Sequence, residues 1–437
     1  MGKGSFHDNL NLNTLTLEEV QKHNTKKDRW IIIDGSVYDV TNFAKRHPGG
    51  EKIIQGYAGQ DATDAWTAFH IDRSMVSKYM KPLLVGKLEH STEYKNSKRN
   101  KIEEDFRKLR QKVEEMGLFK PSVLFFSFIL GHILVMEAIG IFIMYYYGTG
   151  WLPYVIAAIF LTAAQAQAGW AQHDYGHLSV LPNSKLNHWA HIFVINFLKG
   201  ASSDWWNYRH FNHHSKPNVV KKDPDIRLDM FFVLGKVIPI EWAKKKKGFM
   251  PYQHQHKYFY LILPPLLLPL YFNYEIPYYL LSRKRYGDLF WMLTFFLRYE
   301  LIFYPLLGFW GTLGLFFFVR FIESHWFVWT TQMSHIPMDV NYDQDDDWVT
   351  GQLKSTCNVE PSLFNDWFSG HLNFQIEHHL FPTMPRHNLI KVKPLVMSLC
   401  KKHNIKYHEK TLLEAMVDIH KCLRESGELW MDSYYHK

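Results

Sequence analysis

Long apolar segments with almost no charge are the feature that most constrains how this chain can fold. Residues 121–148 contain one glutamate and no lysine or arginine, and residues 151–171 contain no charged side chain. Each segment exceeds the roughly 20 residues that an α-helix needs to cross a bilayer. Two further apolar blocks follow later in the chain. The sequence therefore predicts a membrane protein with spans at about 122–147, 151–171, 258–281 and 304–329.

The third block is the least regular of the four, because it contains Pro264, Pro265 and Pro269. Proline removes a helical hydrogen bond and kinks the helix axis, so a broken or re-entrant segment is the alternative to a full span. Four full spans would also put the basic residues 283–285 on the side opposite to the histidine-rich segments. That placement runs against the tendency of basic loops to remain cytosolic. We expect four spans, with a re-entrant third block as the alternative.

Charge content indicates which surfaces the protein binds, and cysteine content excludes some kinds of site. The 437 residues include 50 Lys and Arg against 42 Asp and Glu, which gives a formal net charge of +8. The positive runs lie beside apolar stretches, so an anionic membrane surface is favoured over nucleic acid as a partner. The three scattered cysteines are too few for a disulfide framework or a cysteine-based metal site.

The N-terminal part differs from the apolar remainder. Residues 11–89 contain short β-rich runs around the turn signal Asp34-Gly35, which predicts a small soluble α+β domain. A charged linker follows at 91–120, and its apolar residues recur at spacings of three and four. This spacing is typical of a helix with one apolar face. We expect that helix to pack either on its own domain or at the lipid surface.

A histidine pair in this domain has the pattern of a haem site. The turn His47-Pro48-Gly49-Gly50 can present the His47 ring without steric obstruction, and His70 follows later in the domain. Two axial histidines leave no open position for oxygen, so such a haem transfers electrons. Trp30 and the segments 37–40, 58–63 and 68–70 resemble the cytochrome b5 domain. The resemblance implies haem b ligated by His47 and His70.

Three histidine clusters follow the N-terminal domain. Residues 173–177, 210–214 and 375–379 read HDYGH, HFNHH and QIEHH. Helical residues three or four apart share a face, so the first two clusters can each direct two or three imidazoles towards one point. Neutral imidazole binds iron, copper, nickel and zinc, and the number of nitrogens favours a two-metal site. Asp174 either orients a ligand imidazole through a hydrogen bond or is an ordinary capping or surface residue.

These clusters resemble the histidine boxes of membrane fatty acid desaturases. Gln375 stands where most such enzymes carry the first histidine of the third box, and together with an N-terminal cytochrome b5 domain this is similar to front-end desaturases. Segments 165–170, 370–375 and 381–388 resemble the vertebrate acyl-CoA members, with delta-6 enzymes the most similar and delta-5 enzymes next. The resemblance implies a small α+β cytochrome b5-like domain followed by an all-α multi-span membrane desaturase domain, residues 121–437, with a cytosolic histidine-rich cap.

The resemblance also implies the site residues. One further iron ligand is expected after the last span, where His335 stands, and the role of His371 stays open. The implied cofactors are haem b and two non-haem iron ions, with O2 as co-substrate. The implied iron ligands are His173, His177, His210, His213, His214, His335, His378 and His379. Gln375 joins the boxes as a catalytic residue.

The implied partners follow from the same resemblance. The substrate is a fatty acyl-CoA, and electrons come from NADH through a separate cytochrome b5 reductase. Glu51, Asp61, Asp64 and Asp72 form either an acidic docking face for that reductase or ordinary surface carboxylates. The implied location is the endoplasmic reticulum membrane, with multiple spans and both termini in the cytosol.

Three other functions fit parts of the pattern. A sphingolipid desaturase shares Gln375, and a cytochrome b5-linked lipid hydroxylase uses similar metals, although Gln375 argues against it. A haem-bearing membrane adaptor for electron transfer needs no histidine boxes. The expected reaction inserts a cis double bond between an existing double bond and the carboxyl end of a polyunsaturated chain. Delta-6, delta-5 or dual regiospecificity stays open at this point.

Overall fold

The computed structural model of the protein describes residues 13–89 and 98–435. These residues fall into two compact units that divide after Arg107. The first residues of the predicted N-terminal domain and of the predicted linker, 11–12 and 91–97, lie outside the described residues. Each unit is therefore considered by itself.

The first unit is a small α+β domain. Its strands are β1 (Asn13–Leu15), β2 (Asn24–Thr25), β3 (Asp28–Ile33), β4 (Ser36–Asp39) and β5 (Leu84–Leu88). Its helices are α1 (Leu17–Lys22), α2 (Glu51–Gly56), α3 (Thr63–Phe69) and α4 (Arg73–Met80), with 3-10 turns at Ala44–Arg46 and Lys81–Leu83. The helix α5 (Lys98–Glu115) follows the residues that are not described.

The five strands form one sheet in the order β1-β5-β4-β3-β2. β3 and β4 make the hairpin that Asp34-Gly35 predicted, with Ile33 opposite Ser36, and β1 runs parallel to β5. Val20, Ile32 and Val37 are fully buried in the core of this unit. Arg107 on α5 donates from Nε and Nη2 to the Asp64 carboxylate at 3.0 and 3.1 Å. Ile102 and Phe106 are buried as well. Of the two predicted positions for this helix, on its own domain or at the lipid surface, this part of α5 therefore adopts the first.

The second unit is mostly helical. The helices up to the last apolar block are α6 (Val123–Tyr147), α7 (Trp151–Gly176), α8 (Ser184–Ile192), α9 (Ser203–Ser215), α10 (Val237–Lys244), α11 (Gln255–Leu270), α12 (Ile276–Ser282) and α13 (Tyr286–Gln332). The later helices are α14 (Trp348–Ser355), α15 (Leu363–Ser369), α16 (Gln375–Leu380), α17 (Leu389–His403) and α18 (Leu412–Tyr435). Single turns complete the unit at Phe193–Leu198, Tyr252–His254, Tyr271–Glu275 and Arg386–Asn388, together with the strand pair β6 (Asn358–Val359) and β7 (Glu409–Lys410).

Four helical segments in the described part of the chain are long and apolar enough to cross a membrane. They are Val123–Tyr147, Trp151–Gly176, Tyr252–Ser282 and Tyr286–Gln332. This number agrees with the prediction from sequence. The bounds differ most in the fourth segment, which begins at Tyr286 rather than near residue 304.

The fourth segment folds back on itself at Gly308. The backbone of Gly308 has φ 62° and ψ 179°, which is not helical. The ring of Phe316 lies 6.3 Å from that of Phe295 and 5.6 Å from that of Phe296. In one straight helix, 21 residues would separate such rings by about 30 Å along the axis. Residues 286–307 and 309–332 therefore form an antiparallel helical hairpin, and each arm is long enough to cross a bilayer.

The third segment packs against this hairpin with both of its ends far from the turn at Gly308 and its middle nearer to that turn. Near its start, the ring of Phe259 lies 5.6 Å from that of Trp329, which is about 31 Å from Gly308 along the helix. In its middle, Phe272 packs under the Arg320 guanidinium at 4.2 Å, only about 18 Å from Gly308. Near its end, Leu280 shares a core cluster with Met292, again about 24 Å from Gly308.

This packing gives the third segment a re-entrant path within the helical bundle, the alternative that its prolines allowed. The basic residues after it lie beside the helix that carries the second histidine cluster. The Arg283 guanidinium lies 4.4 Å from the centre of the Tyr208 ring, and Arg285 Nε lies 3.3 Å from Asp204 Oδ2. The basic loop and the histidines are thus on the same side of the helical bundle. The predicted spans 258–281 and 304–329 lie within the candidate segments Tyr252–Ser282 and Tyr286–Gln332, and the second of these segments contains the hairpin.

Candidate functional site: a haem-type histidine pair and two histidine clusters

The predicted haem histidines face each other in the first unit. Their ring centroids are 6.1 Å apart. His70 Nδ1 donates to the Trp66 carbonyl oxygen at 2.8 Å, which leaves Nε2 as the available nitrogen. Burial, with a smaller effect of the neighbouring His70, lowers the pKa of His47 to about 4.

This pair fits a metal ion between two axial imidazoles. Nitrogens on opposite sides of one ion are about 4 Å apart at metal–nitrogen distances near 2.0 Å, and the observed ring separation is compatible with that value. A pKa near 4 keeps His47 neutral at physiological pH, as a ligand must be. The donor set is therefore suited to haem iron.

In the second unit, five histidines from three helical segments converge in one group. His173 lies in the last turn of α7 and His177 caps that helix, while His210 and His214 lie one turn apart on α9, and His378 lies on α16. Ligand atoms of these five residues all lie within 4.8 Å of one another. We call this group cluster A.

The nitrogens of cluster A have the spacing of ligands around one ion. His210 Nε2 lies 3.1, 2.9 and 3.0 Å from Nε2 of His173, His177 and His214. His378 Nε2 lies 3.0 Å from His214 Nε2. Two nitrogens bound at right angles to one ion at about 2.1 Å are about 3 Å apart. Burial and the neighbouring histidines hold the pKa of His210 and His378 well below the usual value, so both rings are neutral.

A second group, cluster B, contains His213, His335 and His379. His213 precedes His214 on α9 and His379 follows His378 on α16. Neighbouring helical residues point about 100° apart, so each pair divides between the two clusters. Gln375 Nε2 lies 2.8 Å from His335 Nε2, which places this glutamine beside cluster B as well.

Each imidazole of cluster B is held by a hydrogen bond to its Nδ1 atom. The acceptors are Asp223 Oδ2 for His213, the Ser355 carbonyl for His335 and Gln352 Oε1 for His379, all at 2.9 Å. Such bonds fix the ring orientation and leave Nε2 for a metal. His379 Nε2 is indeed buried without a hydrogen-bond partner. The donor set of cluster B is suited to a second metal ion.

Two of these supporting residues had not been singled out in the sequence. Gln352 also donates to the His214 carbonyl oxygen at 3.0 Å and so links both clusters. Asp223 is fully buried and accepts a bond from the Asn218 backbone at 2.7 Å. Burial alone would lower the pKa of His213, but the Asp223 carboxylate raises it instead. A short aspartate-containing loop after the second cluster was the only sequence signal for this role.

Asp174 has neither of the two roles considered in the sequence, because it is buried in an ion pair. Its carboxylate is paired with Arg386, which donates from Nε at 2.6 Å, and not with a ligand imidazole. Arg386 Nη2 also donates to the Trp170 carbonyl at 2.6 Å. The pair therefore ties the histidine end of α7 to the segment after α16.

His371 lies outside both clusters. It has a positive φ of 65°, and burial lowers its pKa to about 3. His371 packs edge-on against Phe125 at 5.8 Å.

One of the four carboxylates predicted as a docking face is buried. In the first unit, Asp64 is the ion-pair partner of Arg107, so Asp64 does not belong to an exposed docking face.

A close approach of Trp206 closes one side of cluster A. Its ring stacks on His210 at 4.2 Å and meets His173 edge-on at 5.6 Å. A Cβ atom at position 176 would come within 2.2 Å of this tryptophan, so only glycine allows α7 and α9 to approach this closely. The first histidine box thus needs Gly176 for packing.

Both clusters border one cavity. The polar part of its wall includes His173, His210, His213, His335 and Gln375. Its remaining walls are largely apolar and aromatic, and they include Leu263, Leu267, Leu268, Tyr271, Phe272 and Phe327. The re-entrant segment supplies most of these apolar side chains. Such a cavity is suited to a hydrocarbon chain that passes the histidines.

Comparisons with known proteins match two regions of the chain. Residues 149–411 match the family described as Fatty acid desaturase, and residues 16–89 match the Cytochrome b5-like Heme/Steroid binding domain. A solved structure, cytochrome b5 of Ostreococcus tauri virus 2, is 42% identical in sequence to the N-terminal region. That match covers 17% of this chain and 96% of the other chain, with a TM-score of 0.17.

The fold and the sites define a membrane oxidoreductase with an attached cytochrome b5-like domain. The desaturase match covers more than half of the chain, and the chain belongs to the fatty acid desaturase family. Its predicted fold class is confirmed, and the order of the two domains is consistent with a front-end desaturase. The cytochrome b5-like domain implies haem, and the histidine clusters of a desaturase suggest iron.

Proposed function

We propose that the protein is an oxygen-dependent front-end desaturase that inserts a cis double bond into a polyunsaturated fatty acyl-CoA, with delta-6 regiospecificity and delta-5 as the alternative. The observation that supports this best is that both histidine clusters border the same apolar cavity. The N-terminal haem-type pair supports electron delivery within the same chain.

The proposed iron ligands divide between the two clusters. One ion is bound by His173, His177, His210, His214 and His378. The other is bound by His213, His335 and His379, with Gln375 beside it. The haem iron is bound by His47 and His70.

Iron held by the two clusters would activate O2, the oxidant that removes two hydrogens from an unactivated methylene pair. The side chains of the protein provide the environment for that step. The apolar walls exclude water and hold the chain against the histidines, while Asp223, Gln352 and Ser355 keep three imidazoles in the ligating orientation. The two hydrogens removed from the substrate, two electrons delivered by the haem domain and two protons from solvent together reduce O2 to two water molecules.

Partners and location belong to the same proposal. Electrons come from NADH through a separate cytochrome b5 reductase. The protein lies in the endoplasmic reticulum membrane with both termini and the histidine clusters on the cytosolic side. The basic residues 283–285 support this orientation, since they lie beside α9 and basic loops remain cytosolic.

Expression in yeast tests the reaction. Cells that express the chain are fed linoleate or, separately, dihomo-gamma-linolenate, and their fatty acids are analysed by gas chromatography with mass spectrometry. A new double bond in linoleate between its first double bond and the carboxyl end is the expected result. Conversion of the C20 acid alone would assign the delta-5 reaction.

His378→Ala serves as the matched control in this experiment. It removes a nitrogen of cluster A in the second unit, so we expect loss of conversion while the haem spectrum of the first unit persists. A hydroxylated product or a desaturated sphingoid base in cells that express the unchanged chain would contradict the proposed reaction. Full conversion by His378→Ala would contradict the proposed iron ligands.

A further inference from the structure

Three charged side chains are buried together beside the cavity. Lys199, Arg320 and Glu323 are each less than a tenth exposed. Glu323 accepts a bond from Lys199 Nζ through one carboxylate oxygen and from Arg320 Nη1 at 2.5 Å through the other. Lys199 Nζ also donates to the Gln165 carbonyl oxygen at 2.9 Å, and Arg320 Nη2 donates to the Lys199 carbonyl. We call these three residues the charged triad.

The triad lies deeper in the helical bundle than the histidines. Lys199 Nζ is bonded at the level of Gln165, and a Cβ atom added at Gly169 would meet Nζ at 3.4 Å. These positions precede His173 on α7 by eight and four residues, which corresponds to about 12 and 6 Å along the helix. The triad is therefore at the depth of Phe272, the turning point of the re-entrant segment.

Lys199 is also part of the cavity wall. It lines the same cavity as His173 and Gln375, together with Gly169 and Phe272. The Phe272 ring lies 4.2 Å from the Arg320 guanidinium and 5.6 Å from Lys199 Nζ. At this depth the cavity thus borders both an ammonium group and an aromatic ring.

Stability alone does not account for these charges. A buried ion pair often contributes less than apolar residues of the same volume, because both charges lose their hydration. Ionisable groups at membrane depth are expensive and are associated with function. Two cations and one anion also leave a net positive charge beside the cavity.

We propose that Lys199, held by Glu323 and the Gln165 carbonyl, forms the closed end of the acyl cavity and limits the length of chain that fits beyond the histidines. This inference rests on the proposed desaturase function and adds a residue that determines chain-length specificity. A methyl terminus offers no hydrogen bond, so it cannot replace the contacts that hold the ammonium group. A longer chain must displace a buried, bonded charge, whereas a chain of the right length ends against it.

Lys199→Met is the most direct test. Methionine keeps an unbranched side chain of similar length, and the remaining Arg320–Glu323 pair is neutral, so no unpaired charge is created. Microsomes are supplied with acyl-CoA substrates that share double-bond positions counted from the carboxyl end and differ only in the methyl-terminal segment. We expect the conversion ratio of the longer to the shorter substrate to rise about tenfold, the lower end of the range by which an apolar pocket discriminates one methylene group. Lys199→Arg, which keeps the charge, should retain the unchanged ratio.

The control variant removes a partly buried ion pair that does not line the cavity. Arg298 Nη1 lies 2.8 Å from Glu137 Oε1 between α6 and α13, and neither residue contributes to the cavity wall. Glu137→Gln with Arg298→Met should leave the substrate ratio unchanged. An equal ratio in Lys199→Met and the unchanged protein would overturn the proposal. Absence of conversion by the unchanged protein would instead contradict the proposed function.

A second measurement uses the unchanged protein and does not depend on the folding of a variant. Purified protein is heated in detergent with saturated acyl-CoA of increasing chain length, and the midpoint of thermal unfolding is recorded. The stabilisation should grow with each added pair of methylene groups until the chain reaches Lys199, and then stop or reverse. Continued growth through the longest chains would overturn the proposal.

Discussion

At the residue scale, the separation of adjacent histidines is what creates two metal-binding clusters. His213 and His214 are neighbours in sequence, yet His214 joins cluster A and His213 joins cluster B. The helix rotation of about 100° per residue produces this division. The hydrogen bonds of Asp223, Gln352 and Ser355 then fix the rings of cluster B.

Asp223→Asn should weaken iron binding without disturbing the haem domain. One carboxylate oxygen accepts bonds from His213 and Asn218, and the other accepts from the Asp225 backbone. An amide group would turn an N–H towards one of these donors. Loss of such a supporting bond lowers metal affinity about 10–100-fold, which competition with an iron chelator measures.

The matched control is Asp346→Asn. Asp346 binds Lys354 at 2.9 Å and belongs to neither cluster. The iron affinity of the Asp346→Asn variant should equal that of the unchanged protein. Unaltered iron affinity in Asp223→Asn would show that Asp223 does not orient a ligand.

At the element scale, a single residue divides the longest helix. Gly308 separates the two arms of the hairpin, and its φ of 62° with ψ of 179° belongs to a backbone region that is essentially restricted to glycine. The arms pack through Phe303, Leu315 and Val319 against the paired helices α6 and α7. Hydropathy could not locate this division, because both arms are apolar.

Gly308→Ala should destabilise the protein by about 1–3 kcal/mol, the usual range for a residue forced into a sparsely populated backbone region. A Cβ atom at this position meets nothing within 4 Å, so the effect isolates the backbone. Thermal unfolding in detergent, followed by tryptophan fluorescence, measures it. Gly314→Ala is the matched control, since Gly314 is helical and has equally open surroundings. Equal stability of the two variants would contradict the division at Gly308.

At the scale of the whole molecule, the packing of the helices explains how the basic residues 283–285 and the histidines lie on the same side of the bundle. Four full spans at the predicted positions placed the basic residues 283–285 away from the histidines. A re-entrant third segment followed by a hairpin gives an even number of crossings and returns these residues to the histidine side. The hairpin turn at Gly308 then lies near the turn between α6 and α7, since Tyr145 donates to the Ile302 carbonyl at 2.7 Å.

Cysteine accessibility tests this arrangement. Lys284 and Thr149 are both exposed, and they lie at opposite ends of the bundle. In a chain whose native cysteines are replaced by serine, Lys284→Cys should react with a membrane-impermeant maleimide in sealed microsomes. Thr149→Cys should react only after permeabilisation. Protection of Lys284→Cys in sealed microsomes would mean that the third segment crosses the membrane.

The sequence by itself determined the features that depend on local periodicity. The apolar blocks, the α+β character of residues 13–89, and the histidines at helical spacing all follow from neighbouring residues, and the structure places every predicted ligand in one of two clusters or in the haem-type pair. The irregular path of the third block was also predicted as an alternative from Pro264, Pro265 and Pro269.

Only the tertiary structure decided which distant residues meet. Asp223 reaches His213, Gln352 reaches His379 and Lys199 reaches Glu323 through contacts between segments that no local pattern connects. The charged triad joins residues more than a hundred positions apart, and the re-entrant path depends on which helix Phe272 packs against. Local spacing determines the direction of each side chain, whereas the packing of the helices determines what lies in that direction.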